Sequence, residues 1–149
     1  MARNIIVLII LIIILAAGIW YVGKDRAEEL KTTDQITYTN ASADLITVSL
    51  PFPGAVVGKE FSVIGEARGT WYFEASFPVE LLDKDGKQLD IKPAQAQGEW
   101  MTESFVPFKV TLKAPSNYIG PATLVLHKDN PSGLPEHDAS ASFPITVEY

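Results

Sequence analysis

The chain has no cysteine, which excludes disulfides, thiolate metal sites and thiol nucleophiles together. That absence suits the cytoplasm and a bacterial envelope equally, so it leaves the compartment open. Positive charge is also scarce, with 12 Lys and Arg against 18 Asp and Glu and a formal net charge of −6. Binding to a nucleic-acid backbone needs clustered cations, so nucleic acid is not an expected partner. Helical periodicity is missing from residue 45 onward, where apolar residues recur at a spacing of two. No arrangement of Ser, His and Asp matches a hydrolase motif, and the expectation is of no catalytic centre and no cofactor.

What the chain does have is one long apolar run. Residues 5–22 read IIVLIILIIILAAGIWYV, without a charge or a strongly polar group. As a helix the run would measure roughly 27 Å, close to the hydrocarbon thickness of a bilayer. Residues 1–23 are therefore read as an N-terminal transmembrane signal-anchor, with Arg3, Trp20 and Tyr21 at the membrane interfaces. The competing reading is a cleaved secretory signal ending near Ala16-Ala17-Gly18. It fits less well, because Leu15 occupies the −3 position and the apolar run continues through Val22. The short leader argues for export of everything downstream, whereas Lys24, Arg26 and Lys31 beyond the run pull the other way. The exported orientation is the expectation. Residues 24–44 are polar and are read as a linker.

Residues 45–149 are long enough for one core. Ile46, Val48 and Leu50 alternate with Thr47 and Ser49, and Pro51-Phe52-Pro53-Gly54 ends that strand. A second strand covers residues 60–67. Trp71, Phe73, Ala75, Phe77, Val79 and Leu81 share one parity and are read as the buried face of a long third strand, which Pro78 assigns to an edge or a bulge. Asp83-Lys84-Asp85-Gly86 is a turn, with Gly86 suited to a left-handed position. Residues 88–92 return as a short strand, 93–98 form an Ala/Gln loop, and strands follow near 106–112, 122–127 and 143–147. About seven strands with regularly spaced turns predict an all-β fold, an immunoglobulin-like antiparallel β-sandwich preceded by one transmembrane helix.

Candidate chemistry is sparse. Asp83-Lys84-Asp85-Gly86 lacks the further acidic ligands of a calcium loop and reads as a hairpin turn. Asp129, Glu136, His137 and Asp138 crowd one loop and read as solvated turn residues rather than a cation site. Aromatic residues are the remaining lead. Tyr72 sits on the parity opposite Trp71, and Trp100 and Tyr118 lie in loops, so these three are the candidate binding residues.

The order of several motifs adds a resemblance. Gly65-Glu66-Ala67-Arg68-Gly69, Trp71 with Phe73-Glu74-Ala75, and Val79-Glu80-Leu81 leading into Asp83-Lys84-Asp85-Gly86 form its first half. Phe105-Val106-Pro107-Phe108, Gly120-Pro121-Ala122-Thr123-Leu124-Val125-Leu126 and Asn130-Pro131-Ser132-Gly133 form its second. Together they resemble the bacterial spore germination immunoglobulin-like domain across most of residues 45–149. The resemblance implies a β-sandwich on the outer side of a bacterial membrane with a non-catalytic binding role. The expected function is a membrane-anchored, extracytoplasmic protein-interaction module of the cell envelope. Its expected partners are the membrane, through the helix, and an unidentified envelope protein or wall polymer. The alternative is a cell-wall or glycan-binding module, which requires Tyr72, Trp100 and Tyr118 to form one exposed strip.

Overall fold

The computed structural model describes residues 35–149. The predicted anchor, with Arg3, Trp20 and Tyr21, and most of the predicted linker lie outside the described residues. Among the described residues no helix is long and apolar enough to cross a membrane.

Nine strands follow in chain order: β1 (Thr37–Thr39), β2 (Ile46–Leu50), β3 (Val56–Val57), β4 (Glu60–Arg68), β5 (Ser76–Asp83), β6 (Gln88–Ala96), β7 (Phe105–Lys113), β8 (Gly120–His127) and β9 (Ser140–Val147). Their hydrogen-bonded order is β1-β9-β8-β5-β6-β7-β4-β2, and β3 adds to β9 in parallel. All other pairings are antiparallel. The path folds into two layers, as the immunoglobulin-like reading requires. β2, β4 and β7 make one layer, and β9, β8 and β5 make the centre of the other. β6 runs beside β5 from Gln88 to Gln95 but pairs in register with β7 only at Gln95 and Ala96.

Period-two patterning explains the core. Along β7, Val106, Phe108, Val110 and Leu112 are buried while Pro107, Lys109 and Thr111 are exposed. Val79 and Leu81 on β5 and Leu124 and Leu126 on β8 supply the facing layer. Phe77 of β5 meets the Phe108 ring of β7 edge-on at 4.9 Å between centroids, and Trp71 and Tyr72 pack against Phe77 at 6.4 and 5.1 Å.

Four sequence expectations need correction. The apparent long strand from Trp71 is broken, because residues 69–71 form a 3-10 turn and β5 starts at Ser76. Between them Phe73 and Ser76 exchange backbone bonds of 3.0 and 3.1 Å around Glu74 and Ala75, whose φ values are 48° and 62°. Positive φ at both central residues makes a tight two-residue hairpin turn, so parity does not carry across it. Phe73 consequently points outward and Tyr72 inward. Second, β5 is an inner strand, not an edge. Pro78 is accommodated because it pairs with Pro93 of β6, and the pairing with β8 begins one residue later, at Val79. Two residues without an N–H can face each other only on a rung that needs no mutual hydrogen bond.

Third, the loop expected at 93–98 is largely strand, since β6 continues to Ala96. Fourth, part of the polar stretch read as a linker belongs to the sheet. Thr37–Thr39 pair with Ser140–Ser142, and the Tyr38 hydroxyl donates to the Ile46 carbonyl at 3.3 Å. A three-residue edge strand with one half-buried aromatic leaves too short a pattern to read from sequence.

Candidate functional site

The three aromatic candidates do not form an exposed strip. Tyr72, expected outward, is only 5% exposed, and its hydroxyl donates 2.7 Å to the Val106 carbonyl across the core. Burial pushes its phenol well above the ordinary tyrosine range. Trp100 and Tyr118 are half-buried and pack against the core. Tyr118 also ties its corner of the sandwich together, its hydroxyl donating to the Pro121 carbonyl while its own carbonyl accepts from Lys59 Nζ. All three rings therefore have structural work, and the strip needed for glycan stacking is missing its buried member.

The charged loops are similarly occupied. Asp83 Oδ1 accepts from the backbone N–H groups of Asp85 and Lys87 at 2.8 and 2.9 Å, while Gly86 takes φ +80°. The Lys87 backbone bond, above all, holds the Asp83 carboxyl below its usual range. In the loop after β8, Asn130 donates to Asp138 Oδ1 at 2.7 Å and to the Leu134 carbonyl at 2.8 Å. Among the described residues no group of three His, Cys, Asp or Glu side chains converges on a cation site. His127, at the end of β8, pairs with Glu80 at 3.1 Å.

A shallow cleft of about 410 Å³ lies between β6 and β7. Its cause is local. From Gln97 back along β6, the alternate residues 97, 95 and 93 turn their backbone toward β7. Gln97 N–H reaches the Pro107 carbonyl at 2.7 Å, and Gln95 pairs with Lys109. Pro93 is next and has no N–H, so the ladder stops. Opposite it, Thr111 turns its N–H and C=O into the gap with no strand partner on that side among the described residues. One turn of pleat further on, Asp90 closes the gap, its Oδ2 accepting from Lys113 N–H at 2.8 Å.

The lining is cationic and amide-rich. Lys92 and Lys109 stand at the walls with Gln95 and Gln97, and Val110, 7% exposed, belongs to the floor. Asp90, the carboxylate beside it, has both oxygens engaged, Oδ1 by Ile91 N–H at 2.9 Å and more loosely by Lys92 Nζ at 3.8 Å. Lys92 and Lys109 thus stand beside one carboxylate charge, that of Asp90, at a rung where Thr111 has no strand partner on this side among the described residues. Sequence reasoning missed this site because Pro93 suggested a loop. Ala94-Gln95-Ala96-Gln97 does alternate with period two, and that was the signal to follow. A second pocket of about 250 Å³ lies on the far side of β6, where Pro78, Ile91 and Pro93 meet Asp129. Burial raises the Asp129 carboxyl above its usual range, and nearby Glu74 adds to the effect.

Comparison with protein families matches residues 45–133 to the immunoglobulin-like domain of bacterial spore germination. The chain belongs to this family. The match spans β2 through β8 and the start of the following loop, and so covers both layers of the germination-type immunoglobulin-like domain. Comparison with curated proteins finds no match.

Proposed function

We propose that the protein is a non-catalytic interaction module, an immunoglobulin-like domain held outside a bacterial membrane by an N-terminal anchor. The observation that carries this reading is membership of the germination-type immunoglobulin-like family. The 18-residue apolar run at residues 5–22 supports the location, and the polar residues after it supply reach. The side chains that looked most chemical support a scaffold role, since Tyr72, Asp83 and Tyr118 are spent on holding the fold. What is left for recognition is backbone edge and charge, which suits a protein partner in the envelope.

The absence of cysteine makes the location directly testable. Single cysteines are placed at Asn4, before the apolar run, and at Ser116, an exposed residue between β7 and β8. On intact cells a membrane-impermeant maleimide is expected to label Ser116→Cys and not Asn4→Cys, with the protein retained in membranes at alkaline pH. Labelling of Ser116→Cys only after lysis, or release of the protein from the membrane, overturns the reading.

A further inference from the structure

We propose that one loop end of the sandwich takes a short basic segment of a partner protein that also carries apolar side chains. That end is built from residues 40–45 between β1 and β2, 69–75 between β4 and β5, 97–104 between β6 and β7, and 128–139 between β8 and β9. The assignment rests on the interaction-module reading and gives it a surface and a partner chemistry.

Hydrogen bonds place the four loops together. Arg68, which closes β4, donates from Nε to the Asp44 carbonyl at 2.9 Å and from Nη1 to the Glu103 carbonyl at 3.1 Å. The Asp129 N–H reaches the Trp71 carbonyl at 3.0 Å, and Asn40 Nδ2 donates to the Asp138 carbonyl at 3.0 Å. Charge is concentrated at this end. Its loops hold Asp44, Glu74, Glu99, Glu103, Asp129, Glu136 and Asp138 against a single cation, Lys128. The remaining described residues balance at seven Asp or Glu and seven Lys or Arg, with Arg68 at the rim among them. Among the described residues none of the seven loop carboxylates forms an ion pair. The net charge of the described residues therefore sits in these loops, where it steers and orients a basic partner.

Two further observations point to a polypeptide rather than a simple cation. Three of the loops each set one large apolar side chain in solvent, with Phe73 43%, Met101 74% and Leu134 49% exposed. Such side chains offer contacts to the apolar residues of a partner, which a metal ion or a polyamine does not have. Between the β1–β2, β4–β5 and β8–β9 loops lies a cavity of about 290 Å³, with Asn40, Trp71, Lys128 and Glu136 in its lining. Trp71 is 1% exposed, and its indole N–H is the one buried side-chain polar atom without a partner among the described residues. A peptide carbonyl entering the cavity supplies an acceptor, whereas an ammonium group has none to give. Anionic wall polymer, acidic phospholipid headgroups and the same end of a second copy all meet like charge here.

The test uses the full chain in uncharged maltoside micelles, followed by NMR of the backbone amides and the tryptophan indoles. The probes are an acetylated, amidated hexapeptide of alternating Lys and Val, with Lys/Ser and Glu/Val counterparts. The Lys/Val peptide is expected to shift the amides around Phe73, Met101 and Leu134 and the Trp71 indole N–H, and to leave the Asp83–Gly86 turn in place. Glu103→Lys with Glu136→Lys reverses two exposed loop charges whose side chains make no hydrogen bond in the fold. That pair should weaken binding by about tenfold, and Asp85→Lys with Glu148→Lys, the same net change outside the loops, by no more than about twofold. Met101→Ser with Leu134→Ser should weaken it several-fold. Equal binding of the Glu/Val or Lys/Ser peptide, shifts confined to other regions, or equal effects of the two charge-reversed pairs each overturns the assignment. Should peptide binding fail while Ser116→Cys is still labelled on intact cells, the loop-end assignment falls and the envelope-module reading stands. Specific peptide binding by a protein labelled only after lysis supports the loop-end assignment and overturns the envelope location.

Discussion

Gly69 is the seat of the loop that carries Trp100, and a single methyl group there is expected to lift that loop. A Cβ at Gly69 would lie 1.9 Å from the Thr102 carbonyl oxygen and 2.3 Å from that of Trp100. Both are backbone atoms, so no change of rotamer relieves the clash. The φ of Gly69 lies outside the left-handed region, which makes the objection to alanine purely steric. Since real Cβ contacts stay beyond 3.0 Å, the Trp100 to Thr102 backbone has to retreat by roughly 1 Å. That retreat pulls on the Gly69 N–H bond to the Ser104 carbonyl at 3.2 Å and uncovers the half-buried indole of Trp100. Overpacking of this kind costs about 1–3 kcal/mol, and a lost neutral hydrogen bond adds about 1 kcal/mol. Against this, the stiffer unfolded chain of the alanine variant returns about 0.4–1 kcal/mol. The net expectation for Gly69→Ala is about 2–3 kcal/mol, a fall in Tm of roughly 10 °C for a domain of this size. Thermal melts measure the loss. Tryptophan emission, assigned by a Trp100→Phe control, should shift to the red as the ring becomes wetter. A Tm within about 2 °C of the parent, with emission unchanged, would refute the claim that the loop is seated on Gly69.

Two further outcomes follow from the hydrogen bonds. Tyr72→Phe removes the donor to the Val106 carbonyl in a dry site, and urea denaturation should register a loss of about 1–2 kcal/mol. Burial keeps this phenol neutral in the folded state while the unfolded chain ionises near the ordinary value of 10.0. Stability is therefore full below that pH and should fall by roughly 1.4 kcal/mol per pH unit above it; parallel alkaline curves for parent and Tyr72→Phe would count against the assignment. Asp83→Ala removes the acceptor of the Asp85 and Lys87 N–H groups. Because the Asp83 carboxyl is held below its usual range, its contribution is present above the unfolded carboxyl pKa and lost as acid protonates the folded form. The stability gap between parent and Asp83→Ala should close on acidification, as read by denaturation at a series of pH values, and a gap that persists in strong acid would speak against it.

Much of the fold is legible in the sequence where the alternation is long and uninterrupted. β7 and β9 alternate buried and partly or fully exposed residues along their lengths, and both sit where the sequence pattern places strands. Legibility ends where a backbone event resets the count. At Glu74 and Ala75 two residues of positive φ reverse the chain within what reads as one strand, and nothing in their identity demands that conformation. The inward turn of Tyr72 follows from that reversal, and so a candidate ligand-binding ring becomes a core hydrogen-bond donor. Pro93 misleads in the opposite direction. Proline usually argues for a loop, yet here its missing N–H matters only on the side facing β7.

Composition and pattern alone determine that this is an acidic, cysteine-free, all-β domain preceded by a strongly apolar run, because those properties are sums and periods along the chain. Family membership is legible for the same reason, being carried by the order of motifs. Tertiary structure decided which face each aromatic takes and where the two layers part. Such features depend on which strand lies beside which. Thr111 is an unremarkable exposed residue in sequence, and it has a free rung only because a proline stands opposite it on a strand that departs toward the other layer.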